Sequence, residues 1–234
     1  MKLLIRSILL ISTLLGFSSG TAFAGYEDLF QTVRKASWAI YVRSVGGMSA
    51  VCSSGAFDSN ASRTLLLTAG HCFLGSELKR TDFLVTQDHR TFYKATLLKS
   101  GLALRSGKSA TSTDLDDYSG HDWAILTAEM GSKATLPIGD SEKLIIGEDL
   151  VMVGVPFGVD FLAVQGIVGS KDVSLSSLAW NHYYGANIYS AGGNSGSVVI
   201  STKQKTIVGI LAAGPGGQSS MAIFLPIHLI PNLK

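Results

Sequence analysis

The chain is poor in several features that would narrow its role at once. It has only two cysteines, Cys52 and Cys72. A zinc site at Cys52, His71 and Cys72 is weak as a reading, because no fourth ligand stands at suitable spacing. Basic runs are missing, so the chain lacks the charged footprint that nucleic acid binding requires. After the first two dozen residues no stretch is long and apolar enough to cross a bilayer, which takes ~20 such residues. Sequence repeats, low-complexity tails and long capped segments of helical period are absent too, and no second domain is in view.

What is present begins with a leader. Lys2 and Arg6 precede an apolar stretch from Ile8 to Phe17, and Ala22-Phe23-Ala24 offers a small-residue cleavage pattern before Gly25. This pattern predicts a secretory signal peptide over residues 1–24. An uncleaved anchor is the alternative, disfavoured by the short apolar core, and no cysteine follows the cleavage point to carry lipid. Cleavage near Ala24 implies a periplasmic or extracellular protein with no stable membrane insertion. Taking Lys2 and Arg6 from the 19 basic residues leaves 17, equal to the 17 acidic ones. The net charge of +2 therefore belongs to the leader. An even pair of cysteines in an exported chain most simply forms one disulfide, with two free thiols as the alternative. Closing that loop would contribute about 3 kcal/mol on the chain-entropy model.

The remainder reads as short strands: Trp38–Val42, Ala50–Phe57, Thr64–Thr68, Phe83–Val85, Thr91–Leu98, Trp123–Leu126, Asp149–Val153, Leu162–Val168, Ser197–Ser201, Thr206–Leu211 and Met221–Leu225. They are rich in Val, Ile, Leu and Tyr and bounded by Gly, Ser, Asn or Asp. Tyr26–Lys35 is expected to form a turn or two of helix, and Leu229–Lys234 no more than that. Many short strands without long helices point to an all-β sandwich or barrel. The stretch Gly131–Gly147, with Pro137 and Gly139, is the expected crossover between halves.

Three segments carry chemistry. Leu65-Leu66-Leu67-Thr68-Ala69-Gly70-His71-Cys72 runs an apolar strand into a small-residue turn bearing a histidine. Asp122-Trp123-Ala124-Ile125-Leu126 sets an acid at the head of an apolar strand. Gly192-Gly193-Asn194-Ser195-Gly196-Ser197 holds a serine in a glycine-rich turn. A serine hydroxyl needs an adjacent base, histidine is suited to that task near neutral pH, and a carboxylate fixes the histidine tautomer. Glycines around the serine let backbone N–H groups converge on a developing oxyanion, each donor being worth about 3 kcal/mol of barrier. His89, His121, His182 and His228 read as ordinary surface or satisfied histidines. Asp116 and Asp117 are rival acids, but they sit in the polar loop Thr111–Gly120.

LLTAGHC, DWAIL and GGNSGS, in the order His, Asp, Ser, resemble the signature segments of the chymotrypsin-like or trypsin-like serine peptidases. The resemblance extends from about Trp38 to Leu225. It implies two six-stranded antiparallel β-barrels, at about 36–130 and 145–234, with the active site in the cleft between them. It assigns His71 as general base, Asp122 as its orienting carboxylate and Ser195 as nucleophile, with Gly193 and Ser195 N–H groups as the oxyanion hole. It pairs Cys52 with Cys72. Val155-Pro156-Phe157-Gly158 and Gln165-Gly166-Ile167-Val168 are similar to stretches of HtrA-type bacterial peptidases, and GGNSGS is also similar to V8-type glutamyl endopeptidases.

Departures refine this expectation. Asn194 stands where digestive members carry an Asp, so activation by a new α-amino group is not expected, although a short propeptide within Gly25–Lys35 stays open. The chain ends too soon for the PDZ domain that HtrA enzymes append. Tyr189 and Ser190, with Ala212, Ala213 and Gly214, correspond to the substrate pocket. That pocket lacks an acid, and Leu211 replaces the histidine of Glu-specific members, so a neutral or small aliphatic residue is expected before the scissile bond. The implied function is a secreted serine endopeptidase acting on polypeptides without metal or organic cofactor. The alternatives are a retired or latent protein-binding module, an esterase on the same triad, or a non-catalytic β-sandwich adhesin.

Overall fold

A computed structural model describes residues 24–44, 47–73, 83–102, 121–132, 134–175, 180–215 and 218–233. The expected leader (residues 1–23) and the rival acids Asp116 and Asp117 lie outside the described residues.

One α-helix, α1 (Ala24–Ala36), opens the described chain. Leu29, Val33 and Ala36 are buried along it, a spacing that lines up one helical face. Six strands follow: β1 (Ser37–Ser44), β2 (Gly47–Ser59), β3 (Thr64–Thr68), β4 (Phe83–Thr86), β5 (Tyr93–Ser100) and β6 (Ala124–Ala128). They close into an antiparallel barrel in the order β1-β2-β3-β6-β5-β4. The linking segment carries a 3-10 turn, Ser141–Lys143, capped by the Asp140 side chain accepting from Glu142 N–H. A second barrel is built from β7 (Asp149–Gly154), β8 (Leu162–Leu175), β9 (Trp180–Asn187), β11 (Val198–Ser201), β12 (Thr206–Ala213) and β14 (Ala222–Pro226), in the order β11-β12-β14-β9-β8-β7. The short strands β10 (Ser190–Ala191) and β13 (Gln218–Ser219) pair outside it.

Two closed six-stranded barrels are therefore the architecture, which leaves neither main sheet an open edge. The core is continuous across both. Trp38, Leu66, Leu67 and Leu126 of the first barrel belong to one buried cluster with Val151, Val198, Ile210 and Ile223 of the second. A further cluster, including Leu150, Met152, Tyr184 and Phe224, fills the remainder of the second barrel. Between the barrels Gly55 of β2 lies against Val198 of β11, where an added Cβ would collide with the valine methyls. That close approach brings the ends of β3, β6 and β11 together, and the chemistry-bearing segments lie at those ends.

Candidate active site

Strand β3 is almost wholly buried and ends in a 3-10 turn, Gly70–Phe73. Its register with β6 sets Thr68 opposite Ala124. The turn after β3 therefore meets the residues before β6, and His71 meets Asp122. The carboxylate holds the histidine twice: Oδ1 accepts the His71 backbone N–H at 2.8 Å, and Oδ2 lies 2.8 Å from Nδ1. An ionised carboxylate can only accept, so Nδ1 is the protonated ring nitrogen and Nε2 is left as the acceptor. Asp122 is fully buried, whereas the His71 side chain keeps 28% of its surface exposed. Burial alone would lower the imidazole pKa; the charge of Asp122 and its hydrogen bond outweigh this, and the net displacement is upward.

Ser195 arrives from the second barrel, in the turn between β10 and β11. Asn194 N–H donates to Ala191 O at 3.0 Å and Ser197 N–H to Asn194 O at 2.9 Å, winding the turn tightly. Gly193 and Gly196 take φ of +93° and +83°, conformations that L side chains rarely adopt. Gly196 also packs against Thr68 and Ser53, where a Cβ would collide with Thr68 Oγ1 and Ser53 O. The Ser195 turn is thereby seated against the end of β3, three residues before His71. Among the described residues no hydrogen bond joins the Ser195 hydroxyl to the His71 ring; what the backbone packing brings together is the serine turn and the end of β3.

Gly193 and Ser195 N–H groups have no protein acceptor among the described residues, although the neighbouring N–H groups of Asn194, Gly196 and Ser197 are all bonded. Two unpaired donors on one turn are the equipment for stabilising an oxyanion. The turn is held from outside as well, by Phe157 N–H donating to Gly192 O at 2.6 Å.

The sequence reading missed Ser53. Its N–H donates to Ser195 O at 2.8 Å, its hydroxyl donates to Gly193 O at 2.8 Å, and its Oγ accepts Val155 N–H at 2.9 Å. Its carbonyl accepts the Thr68 hydroxyl at 2.7 Å. This one buried serine ties β2, β3, the Ser195 turn and the end of β7 together. No local signal marks it, because its partners are far away in the chain.

Cys52 and Cys72 form a disulfide with Cα atoms 6.2 Å apart. The donor atoms of Cys52, His71 and Cys72 lie within 4.8 Å of one another, but sulfurs joined to each other are not the thiolates that zinc takes. On the pocket side, Ser190 is buried with its hydroxyl donating to Met221 O at 3.1 Å, and a Cβ on Gly214 would collide with it. Tyr189, Ala213 and Gly214 are half-buried, while Ala212 belongs to the barrel core. The other histidines lie elsewhere. His89 Nδ1 is 2.8 Å from Tyr41 OH, His228 Nδ1 is 2.7 Å from Ser141 Oγ, and His121 and His182 are exposed.

Comparison with known proteins bears on the family and the fold. A family model described as a trypsin-like peptidase domain matches residues 49–210. A probable periplasmic serine endoprotease of DegP-like type from Pseudomonas putida is 31% identical over 111 residues, which cover 46% of this chain and 23% of that protein. A probable periplasmic serine protease of do/HhoA-like type from Haemophilus influenzae is 29% identical over 180 residues, covering 74% of this chain and 34% of its own length. The matched stretches are thus a minor part of these relatives. In fold, the chain superposes on the HtrA-type protease AlgW solved with tripeptide, with a TM-score of 0.67 and 19% identity, over 87% of this chain and 60% of that one.

Proposed function

Because the chain belongs to the trypsin-like peptidase domain family, we propose that it is an exported serine endopeptidase that hydrolyses polypeptides through an acyl-enzyme on Ser195. The observation that carries this reading is the double grip of buried Asp122 on His71, which leaves Nε2 as the free base.

In the proposed reaction His71 Nε2 takes the Ser195 proton as Oγ bonds to the scissile carbonyl carbon. The carbonyl oxygen becomes an anion facing the Gly193 and Ser195 N–H groups. His71 then passes the proton to the leaving amine, the C–N bond breaks, and water repeats the sequence on the ester. The close contact of Ser190 with Gly214 and the lack of an acid there support a small, uncharged residue before the cleaved bond. Periplasmic service of the relatives and the expected leader support removal of residues 1–24, leaving residues 25–234 outside the cytoplasm. Among the described residues no helix is long and apolar enough to cross a membrane.

A fluorophosphonate probe tests the reading. The wild type should be labelled, Ser195→Ala should not be, and His71→Ala should react much more slowly. Absence of labelling in folded, oxidised wild type would overturn the proposal. Labelling together with hydrolysis of small esters, but no cleavage of an unfolded protein such as casein, would convert it to an esterase.

A further inference from the structure

Most of the bonds that hold the Ser195 turn run between backbone groups. Phe157 N–H donates to Gly192 O, Asn194 N–H to Ala191 O, Ser197 N–H to Asn194 O and Gly196 N–H to Leu211 O. At Gly193 O the donor is instead a side chain, the Ser53 hydroxyl at 2.8 Å. The same oxygen accepts Val155 N–H at 2.9 Å. Val155 and Gly193 both belong to the second barrel, whereas Ser53 lies on β2 of the first. One buried hydroxyl of the first barrel therefore relays a hydrogen bond between two backbone groups of the second. Bonds in series of this kind polarise one another in a site of low dielectric.

The relay acts on the backbone that carries the unpaired donors. Gly193 O and Asn194 N–H are opposite ends of one peptide plane, held by Ser53 at one end and by Ala191 O at the other. Gly193 N–H belongs to the plane before it, whose oxygen accepts from Phe157. The joint between the two planes is Gly193 itself, at φ +93° and preceded by a second glycine. Glycine has no side chain to resist rotation there. With both carbonyls held, Gly193 N–H has one direction; without the Ser53 bond the joint loses its side-chain support. Donors stabilise an oxyanion to the extent that they are aimed before the charge develops.

We infer that Ser53 is a positioning residue, whose hydroxyl aims Gly193 N–H at the developing oxyanion by tying Gly193 O to the end of β7. This rests on the peptidase reading. Ser53 acts through the turn and not on the substrate. A serine with a structural role alone would contribute stability through the same two bonds. The difference lies in whether losing the hydroxyl weakens an oxyanion more than a ligand that forms none.

A matched pair of inhibitors makes that comparison. Ser195 Oγ adds to the carbonyl carbon of acetyl-trialanine aldehyde and leaves its oxygen in the oxyanion position, whereas acetyl-trialanine alcohol binds without adding. Both are measured as inhibitors of the hydrolysis of acetyl-trialanine p-nitrophenyl ester. Outright loss of one oxyanion donor costs about 100- to 1,000-fold in kcat. Ser53→Ala should misaim one, lowering kcat and aldehyde affinity by about tenfold or more, with KM and alcohol affinity little changed. Ser53→Gly, measured beside it, removes the same hydroxyl, and Ser53→Thr keeps it and should restore the aldehyde-to-alcohol ratio. Thr68→Val deletes the neighbouring bond to Ser53 O and should leave that ratio near wild type. A wild-type ratio in the Ala and Gly variants, or an equal loss of ratio in Thr68→Val, overturns this inference alone. No ester turnover by the wild type overturns the peptidase reading and this inference with it.

Discussion

Asp122 and His71 are joined by two hydrogen bonds with different consequences. The bond to the His71 backbone fixes where the residue sits, and the bond to Nδ1 decides which nitrogen is basic. Asp122→Asn keeps the size of the side chain but can present its amide to Nδ1, which would turn the proton toward Nε2. The expected result is a fall of about 10⁴-fold in kcat, with KM little changed. The pH profile gives an independent check. Asp122 raises the imidazole pKa above 6.5, and a general base must be neutral, so kcat/KM should climb through a midpoint above 6.5. In the Asn variant, burial remains without the opposing charge, and the midpoint should move down. Linkage fixes the sign for stability. The pair stabilises fully below the ordinary histidine pKa, and that contribution is lost as pH rises through the raised value. The segments that hold His71, Asp122 and Ser195 could be singled out in the sequence because each is local and its residue types match one chemistry. Ser53 could not, because its role consists of bonds to Val155 and Gly193, which lie 102 and 140 residues onward.

The secondary-structure elements divide along similar physical lines. Strands such as β3 and β7 were legible because apolar β-branched and aliphatic residues run between turn formers. The reading passed over β9, where adjacent Tyr183 and Tyr184 are both buried, one in each core cluster. A strand buried on both faces has no alternation to detect. Helix α1 is longer than the turn or two expected, because an amphipathic helix draws its stability from docking more than from propensity. Its anchor is Arg34, whose guanidinium lies 3.6 Å from the centroid of the Phe161 ring and donates to Gln87 O at 2.6 Å. The helix is thereby attached to the loop after β4 in the first barrel and to the start of β8 in the second. Arg34→Ala should lower stability by about 1–2 kcal/mol, from the lost cation–π contact and hydrogen bond together. Urea unfolding measures this, and a change within error would mean that the apolar face of α1 docks it unaided.

At the scale of the molecule, the proposed catalytic arrangement is a property of the barrel interface. His71 and Asp122 belong to the first barrel, Ser195 and the N–H donors that are unpaired among the described residues to the second, and Ser53 bonds across. Neither barrel contains a site alone, so packing between them should govern activity more sharply than packing within either. Gly55 and Val198 provide the test, since an added Cβ at Gly55 collides with the rigid branched methyls of Val198. Gly55→Ala should cost about 1–3 kcal/mol as an overpacking change and slow fluorophosphonate labelling of Ser195 while the fold persists. Val198→Ala opens space at the same point. If the two residues set the barrel separation, the double variant should recover part of both losses, with a coupling of about 1 kcal/mol or more in urea unfolding. Labelling should recover in parallel. Purely additive costs, or a double variant that regains stability without reactivity, would show that the barrels are positioned by other contacts and that Ser53 acts within a frame already fixed.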